Sequence, residues 1–189
     1  MRTTKNKKEK ILGVARRLFS TKSYDSVSMD MIAKSAGVSK GCLYIYFKSK
    51  AELCAALFES NLQLFRNILT DILARKVKAR EKLELLFERF IELAGGERPS
   101  FFFPAAREFS PEVHRSVGRK ILPHIEFIRQ AITQLFEQGI KEGAFRDYPA
   151  DELALVFLGM LFSMSQRTTT IESMRKHFLP ILYNGILKG

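Results

Sequence analysis

Between Ser28 and Lys50 the chain reads SMDMIAKSAGVSKGCLYIYFKSK, and few arrangements of backbone accommodate that order of residues. Ser28 is placed to cap a short helix whose buried face is Met31, Ile32 and Ala33. Ala36-Gly37-Val38 reverses the chain, Gly37 supplying the positive φ that a sharp turn needs. Ser39 caps a second helix, expected from Lys40 to Phe47. At 100° per residue Leu43 and Phe47 point inward, while Gly41 and Ile45 point directly away, flanked by Cys42 and Tyr44. This is the layout of a helix-turn-helix, whose second helix enters the major groove of DNA. Gly41 lets that helix lie close to the base edges.

The stretch from about Lys8 to Leu53 resembles, without a gap, the N-terminal domain of the TetR family of bacterial transcriptional repressors. The resemblance rests on the ordered set Phe19, Tyr24, Ile32-Ala33, Gly37-Val38, Lys40-Gly41, Leu43-Tyr44 and Tyr46-Phe47. It implies an all-α fold: a DNA-binding head over residues 1–50, with the motif at about 28–47, and an effector-binding and dimerisation domain over 51–189. It also implies a homodimer that binds a palindromic operator in double-stranded DNA and is released by a small effector. On the recognition helix Gly41 and Ile45 are then expected at the groove floor with Cys42 beside them. Lys40, Tyr44, Tyr46, Lys48 and Lys50 flank it, and Ser28 and Ser39 cap helices near phosphates. Cys42 and Ile45 depart from the Thr and His commoner in the family, which leaves the operator sequence open. Few of these side chains hydrogen-bond base edges, so phosphate contacts, duplex shape and dimer spacing are expected to carry much of the selectivity.

The distribution of charge agrees with that reading. The formal net charge is +11, and residues 1–50 hold 12 Lys and Arg against 3 Asp and Glu, whereas the rest of the chain holds 19 against 17. A charge concentrated on the segment that looks like a groove reader is a polyanion footprint. Lys5, Lys7 and Lys8 either follow the phosphate backbone or form a solvated tail. A first helix over Lys5 to Lys22 buries Ile11, Leu12, Ala15, Leu18 and Phe19, with Tyr24 plugging the base of the head.

Ser49-Lys50-Ala51-Glu52 is a capping box. It opens a helix expected to run unbroken to about Lys76, with Leu53, Leu57, Leu64, Phe65, Ile68 and Ile72 on its inner face, and to link the head rigidly to the rest. Arg75, Lys76, Lys78 and Arg80 suit its C-terminal dipole. A further helix ends at Gly95-Gly96. Ser110-Pro111-Glu112 starts another, which Pro123 must kink or divide and which stops at Gly143. Leu153 to Met164 is apolar on nearly every face, so a partner subunit is expected against one side. The resemblance places the dimer interface on the last two helices, here Leu155, Leu158, Gly159, Phe162, Ser163, Phe178 and Leu182.

His114, His124 and His177 show no metal-ligand spacing, and neither a phosphate loop nor a nucleophile elbow occurs, so no metal, cofactor or catalytic set is expected. Apolar runs fall far short of a membrane span. Two cysteines and no secretory signal fit the cytoplasm. Three consecutive aromatics before Pro104 cannot share one helix face and suit an irregular cavity wall. One or more of Phe101, Phe102, Phe103, Phe109 and Phe127 are therefore expected to touch a small, largely apolar ligand, with Arg107, Glu108, His124 and Gln134 as polar candidates. The alternative is a constitutive DNA-binding protein of the same fold, whose Phe-rich body is solid core.

Overall fold

The computed structural model describes residues 2–95, 111–165 and 179–187, together with 172, 176 and 177. Eight helices are present among them: α1 (Arg2–Thr21), α2 (Met29–Ala36), α3 (Lys40–Tyr46), α4 (Lys50–Ala74), α5 (Ala79–Gly95), α6 (Pro111–Lys141), α7 (Ala150–Ser165) and α8 (Leu179–Ile186). Outside the helices, the pairing of Phe145 with Leu187 is an isolated bridge, so the described chain is all-α as expected. Phe101, Phe102, Phe103, Arg107, Glu108, Phe109 and Phe178 lie outside the described residues, as do the side chains of His114, Phe162, Ser163 and Leu182.

Two apolar cores organise the molecule. The first gathers Ile11, Leu12 and Ala15 of α1, Val27, Met29, Ile32 and Ala33 around α2, and Leu43 and Phe47 from the α3 turn. Leu53 and Leu57 of α4 complete it. One position differs from expectation: Met29 is buried and Met31 is only half-buried. The second core takes Leu62, Phe65, Leu69 and Ile72 from the rest of α4, with Leu83, Phe87 and Phe90 of α5 and Ile132, Leu135 and Phe136 of α6. Phe157 and Leu161 of α7 close it. A single helix thus passes from one core into the other. Its 25 residues make it roughly 37 Å long at 1.5 Å per residue.

The helix ends have identifiable causes. Ser49 Oγ accepts from Glu52 N–H at 3.1 Å, while Glu52 Oε2 accepts from the backbone N–H of Lys48 at 2.7 Å, one residue earlier than a standard capping box. At the other end of α4, Arg75 supplies the capping N–H to Ile72. The ammonium that reaches a last-turn carbonyl is Lys82, buried on α5, which donates to Leu73 O at 2.9 Å and to Gln138 Oε1 at 3.1 Å. Glu142, just beyond α6, caps α5 across space by accepting from Ala79 N–H at 2.9 Å. That backbone hydrogen bond, ahead of one from Gln138, holds its carboxyl below the usual range.

Pro123 lies inside α6 without dividing it, because the assigned helix continues from Pro111 to Lys141. Gly143, at φ 71°, terminates it. The following Phe145 folds back onto Gly139, whose carbonyl accepts from both Ala144 N–H and Phe145 N–H.

Candidate nucleic-acid interface

The turn between α2 and α3 is built almost wholly from local chemistry. Ser28 Oγ accepts from Met31 N–H at 3.1 Å and starts α2. Gly37, at φ 61° and ψ 39°, ends it. The N–H of Gly37 goes to Lys34 O at 3.2 Å and that of Val38 to Ala33 O at 3.0 Å, a paired C-cap that only a left-handed residue closes without strain. Ser39 Oγ then accepts from Cys42 N–H at 3.2 Å and starts α3. The third helix ends at Tyr46, one residue short of expectation. Phe47 has turned to extended backbone (φ −140°), and this carries its ring into the first core.

The outer face of α3 is open. Leu43 is buried, whereas Ile45 is 73% exposed and Tyr44 lies at the surface. Gly41 is exposed, and a Cβ built there meets nothing within 4 Å. Cys42 is half-buried at the edge of that face. The expected outward pair thus projects from the helix while Leu43 and Phe47 hold it down.

The basic side chains around α3 behave differently from one another. Lys48 is exposed. Lys40 is also exposed, but its Nζ pairs with Asp30 at 2.9 Å, and hydrogen bonding to Asp30, followed by its charge, raises the Lys40 pKa. Any phosphate that Lys40 meets therefore shares the ammonium with a neighbouring carboxylate. Lys50 turns inward, donating to Tyr24 O at 2.8 Å with its ammonium 4.0 Å from the centre of the Tyr24 ring. Tyr24 in turn stacks on Phe19 at 6.0 Å. Tyr46 is half-buried against the first core. Among the flanking residues named from sequence, Lys48 and Tyr44 stand free of these inward contacts. Lys8, on α1, lies 5.9 Å from the Phe47 ring centre, which brings the basic N-terminal helix alongside the end of α3.

In the second core, two of the residues expected to touch a ligand come together. His124 and Phe127 of α6 face Arg66 of α4: the Arg66 guanidinium is 3.1 Å from His124 Nδ1 and 4.1 Å from the Phe127 ring centre. Arg66 carried no signal in the sequence, since a polar residue on an amphipathic helix reads as solvated. Gln134 is exposed.

On α7, Ala154, Phe157 and Leu161 are buried. Leu155 at 58% and Val156 at 69% exposure leave an apolar strip beside the exposed Gly159. Ile181 of α8 is 65% exposed. Leu158 is half-buried against the second core, and Val156 was not among the residues expected on this face. No helix among the described residues is long and apolar enough to cross a membrane, and they contain no group of three metal-ligating side chains.

Residues 11–57 match the family model described as bacterial regulatory proteins, tetR family. Over its full length the chain is 25% identical to the fatty acid metabolism regulator protein of Bacillus subtilis, covering 95% of that protein. Among solved structures it is similar to a TetR-family transcriptional regulator from Agrobacterium tumefaciens, with TM-score 0.81, 20% identity, and coverage of 98% of this chain and 100% of that one. It is also similar to the fatty acid degradation regulator FadR from Bacillus halodurans, with TM-score 0.77, 19% identity and 95% of both chains covered.

Proposed function

The chain belongs to the TetR family of bacterial regulatory proteins, and from that premise we propose that it is a ligand-responsive repressor acting in the cytoplasm. It binds a palindromic operator as a homodimer and leaves it when a small, largely apolar effector occupies the C-terminal domain. The observation that carries this reading is that one helix, α4, is built into both cores. A displacement of its C-terminal half must move the α3 reading face. The boundary at residue 50 then marks a change of role, residues 1–50 reading DNA and 51–189 binding effector and partner, although Leu53 and Leu57 still pack in the head.

Gly41 and Ile45 meet the groove floor with Cys42 beside them, Ile45 offering methyl contact to thymine. Lys40, Lys48 and Tyr44 follow the phosphates, while Tyr46 and Lys50, expected there from sequence, are turned to the first core and to Tyr24 and brace the head. Ser28 and Ser39 present their capped N-termini to the backbone. A second copy covers Leu155, Val156 and Gly159 together with Ile181. That seat removes an exposed apolar strip from water. The full-length relative that regulates fatty acid metabolism supports an apolar effector. Induction requires only that the effector prefer the conformation with misplaced heads, and a coupling of about 1–3 kcal/mol is the usual scale.

Footprinting on the promoter of the chain's own gene tests the reading: protection should cover a palindrome whose half-sites are about one helical turn apart. Gly41→Ala sharpens the test. A methyl at this position meets nothing in the protein, so folding stability should hold or rise slightly. Operator affinity should fall about tenfold, ~1.4 kcal/mol, if the helix axis lies against the bases. Unchanged affinity would place Gly41 away from the groove.

A further inference from the structure

We propose that Arg66 and His124, facing each other across the seam of α4 and α6, bind an acidic group at one end of the effector. The proposal rests on the effector reading above and adds a charge to it. Four other arginines of the helical body, Arg75, Arg80, Arg89 and Arg129, each pair with a carboxylate three or four residues away, at 2.7 to 3.2 Å. Arg66 has no carboxylate partner among the described residues. Its contacts are instead the neutral face of Phe127, 4.1 Å from the guanidinium carbon, and His124 Nδ1 at 3.1 Å.

The hydrogen-bond chemistry of this pair is one-sided. A guanidinium can only donate, so His124 Nδ1 accepts and the imidazole proton sits on Nε2. Both residues therefore have donors left to offer and no acceptor. Arg66 Nε is enclosed by protein and has no hydrogen-bond partner. That Nε lacks an acceptor and the half-buried guanidinium lacks a carboxylate among the described residues, which is unfavourable unless something supplies them. An anionic oxygen supplies both, and the planar fork of arginine suits carboxylate or phosphate in two-point contact. The Phe127 ring lies against the guanidinium and is attracted to its charge.

The apolar part of the molecule comes from the effector reading above, and the pair lies beside the apolar core. Phe65 and Leu69 of α4 and Ile128 of α6, in the apolar core, neighbour the pair in sequence on the same helices. The fitting ligand is an amphiphile: an apolar body with a carboxylate or phosphate end. Arg66 also stands 16 residues along α4 from Lys50, roughly 24 Å from the head. An anion that draws α4 and α6 together there acts directly on the helix that carries the head.

Three probes of equal chain length separate the possibilities below their micellar concentrations: dodecanoate, dodecyl phosphate and uncharged dodecanol. Binding is measured by calorimetry and operator affinity in parallel, for the wild-type chain, Arg66→Gln, Arg66→Lys and His124→Gln. The expected result is at least tenfold tighter binding of an acidic probe than of dodecanol. Arg66→Gln should bring that ratio close to one, and Arg66→Lys should restore part of it. The stronger of the two acids identifies the carboxylate or the phosphate as the fitting group. Equal binding of acid and alcohol to the wild-type chain, persistence of the ratio in Arg66→Gln, or no binding of any probe would overturn the proposal. If acid and alcohol bind equally and both release DNA, the anion site is wrong while the repressor reading stands. Acid-selective binding without any change in operator affinity supports the anion site and removes the switch.

Discussion

Phe47→Ala is expected to melt the N-terminal bundle and abolish operator binding while leaving the second core folded. Phe47 is 1% exposed, and it reaches the first core because the chain leaves helical geometry at that residue. Its ring fills the space between α1, α2 and α3 with Leu43, Ile32 and Ile11 as companions in the same core. Truncating a buried Phe to Ala costs about 3–5 kcal/mol. A bundle that ends near Leu57, at roughly 0.05–0.15 kcal/mol per residue, has a total stability of the same order. Thermal unfolding followed by circular dichroism should therefore split into two transitions, the earlier one belonging to the head. An unchanged single transition with intact DNA binding would contradict this account of how α3 is held.

The second large effect is expected at Gly139, where adding one methyl should do more harm than most deletions. A Cβ built there would overlap Cδ2 and Cε2 of Phe145. Phe145 is fully buried and cannot swing into solvent. Its ring lies 5.7 Å from that of Phe136, which meets Phe157 edge-on at 6.0 Å, so displacing it disturbs α6 against α7. Overpacking of this kind costs about 1–3 kcal/mol or more. Gly118, on the same helix, has nothing within 4 Å of a built Cβ. Gly118→Ala should therefore gain up to about 1 kcal/mol from helix propensity, the opposite sign for the same substitution. Denaturant titrations of the two variants check this. Gly139→Ala paired with Phe145→Leu should recover part of the loss, because the smaller side chain yields the space.

These two residues also mark what a reader of the sequence can and cannot see. Gly37, Ser28, Ser39 and Ser49 act on backbone groups within five residues of themselves, so the head's turn and three helix starts were legible in order and type. The stripe of Leu43 and Phe47 against Gly41 and Ile45 follows from helical periodicity alone. Gly139 serves a residue beyond the helix end, and nothing local distinguishes it from Gly118. Lys82 and Arg66 are alike in this: each reads as a solvated position on an amphipathic helix, and each is engaged by a group more than 50 residues away. Lys50 fits a basic flank by type, yet it is held by Tyr24, a contact between chain segments 26 residues apart. The division of α4 between two cores was equally invisible, since its apolar face is continuous and only the packing says where one core stops.

The central claim is that α3 reads DNA and that occupancy of the C-terminal domain, transmitted along α4, releases it. The direct test is binding to the promoter of the chain's own gene in a salt titration, with and without an extract of cell metabolites. The account predicts tight binding whose logarithm falls linearly with the logarithm of salt, as phosphate contacts require, and loss of that binding when an extract fraction is added. Tight, salt-dependent binding that no fraction alters would contradict the switch. Binding with no preference for any sequence would contradict the regulatory reading itself.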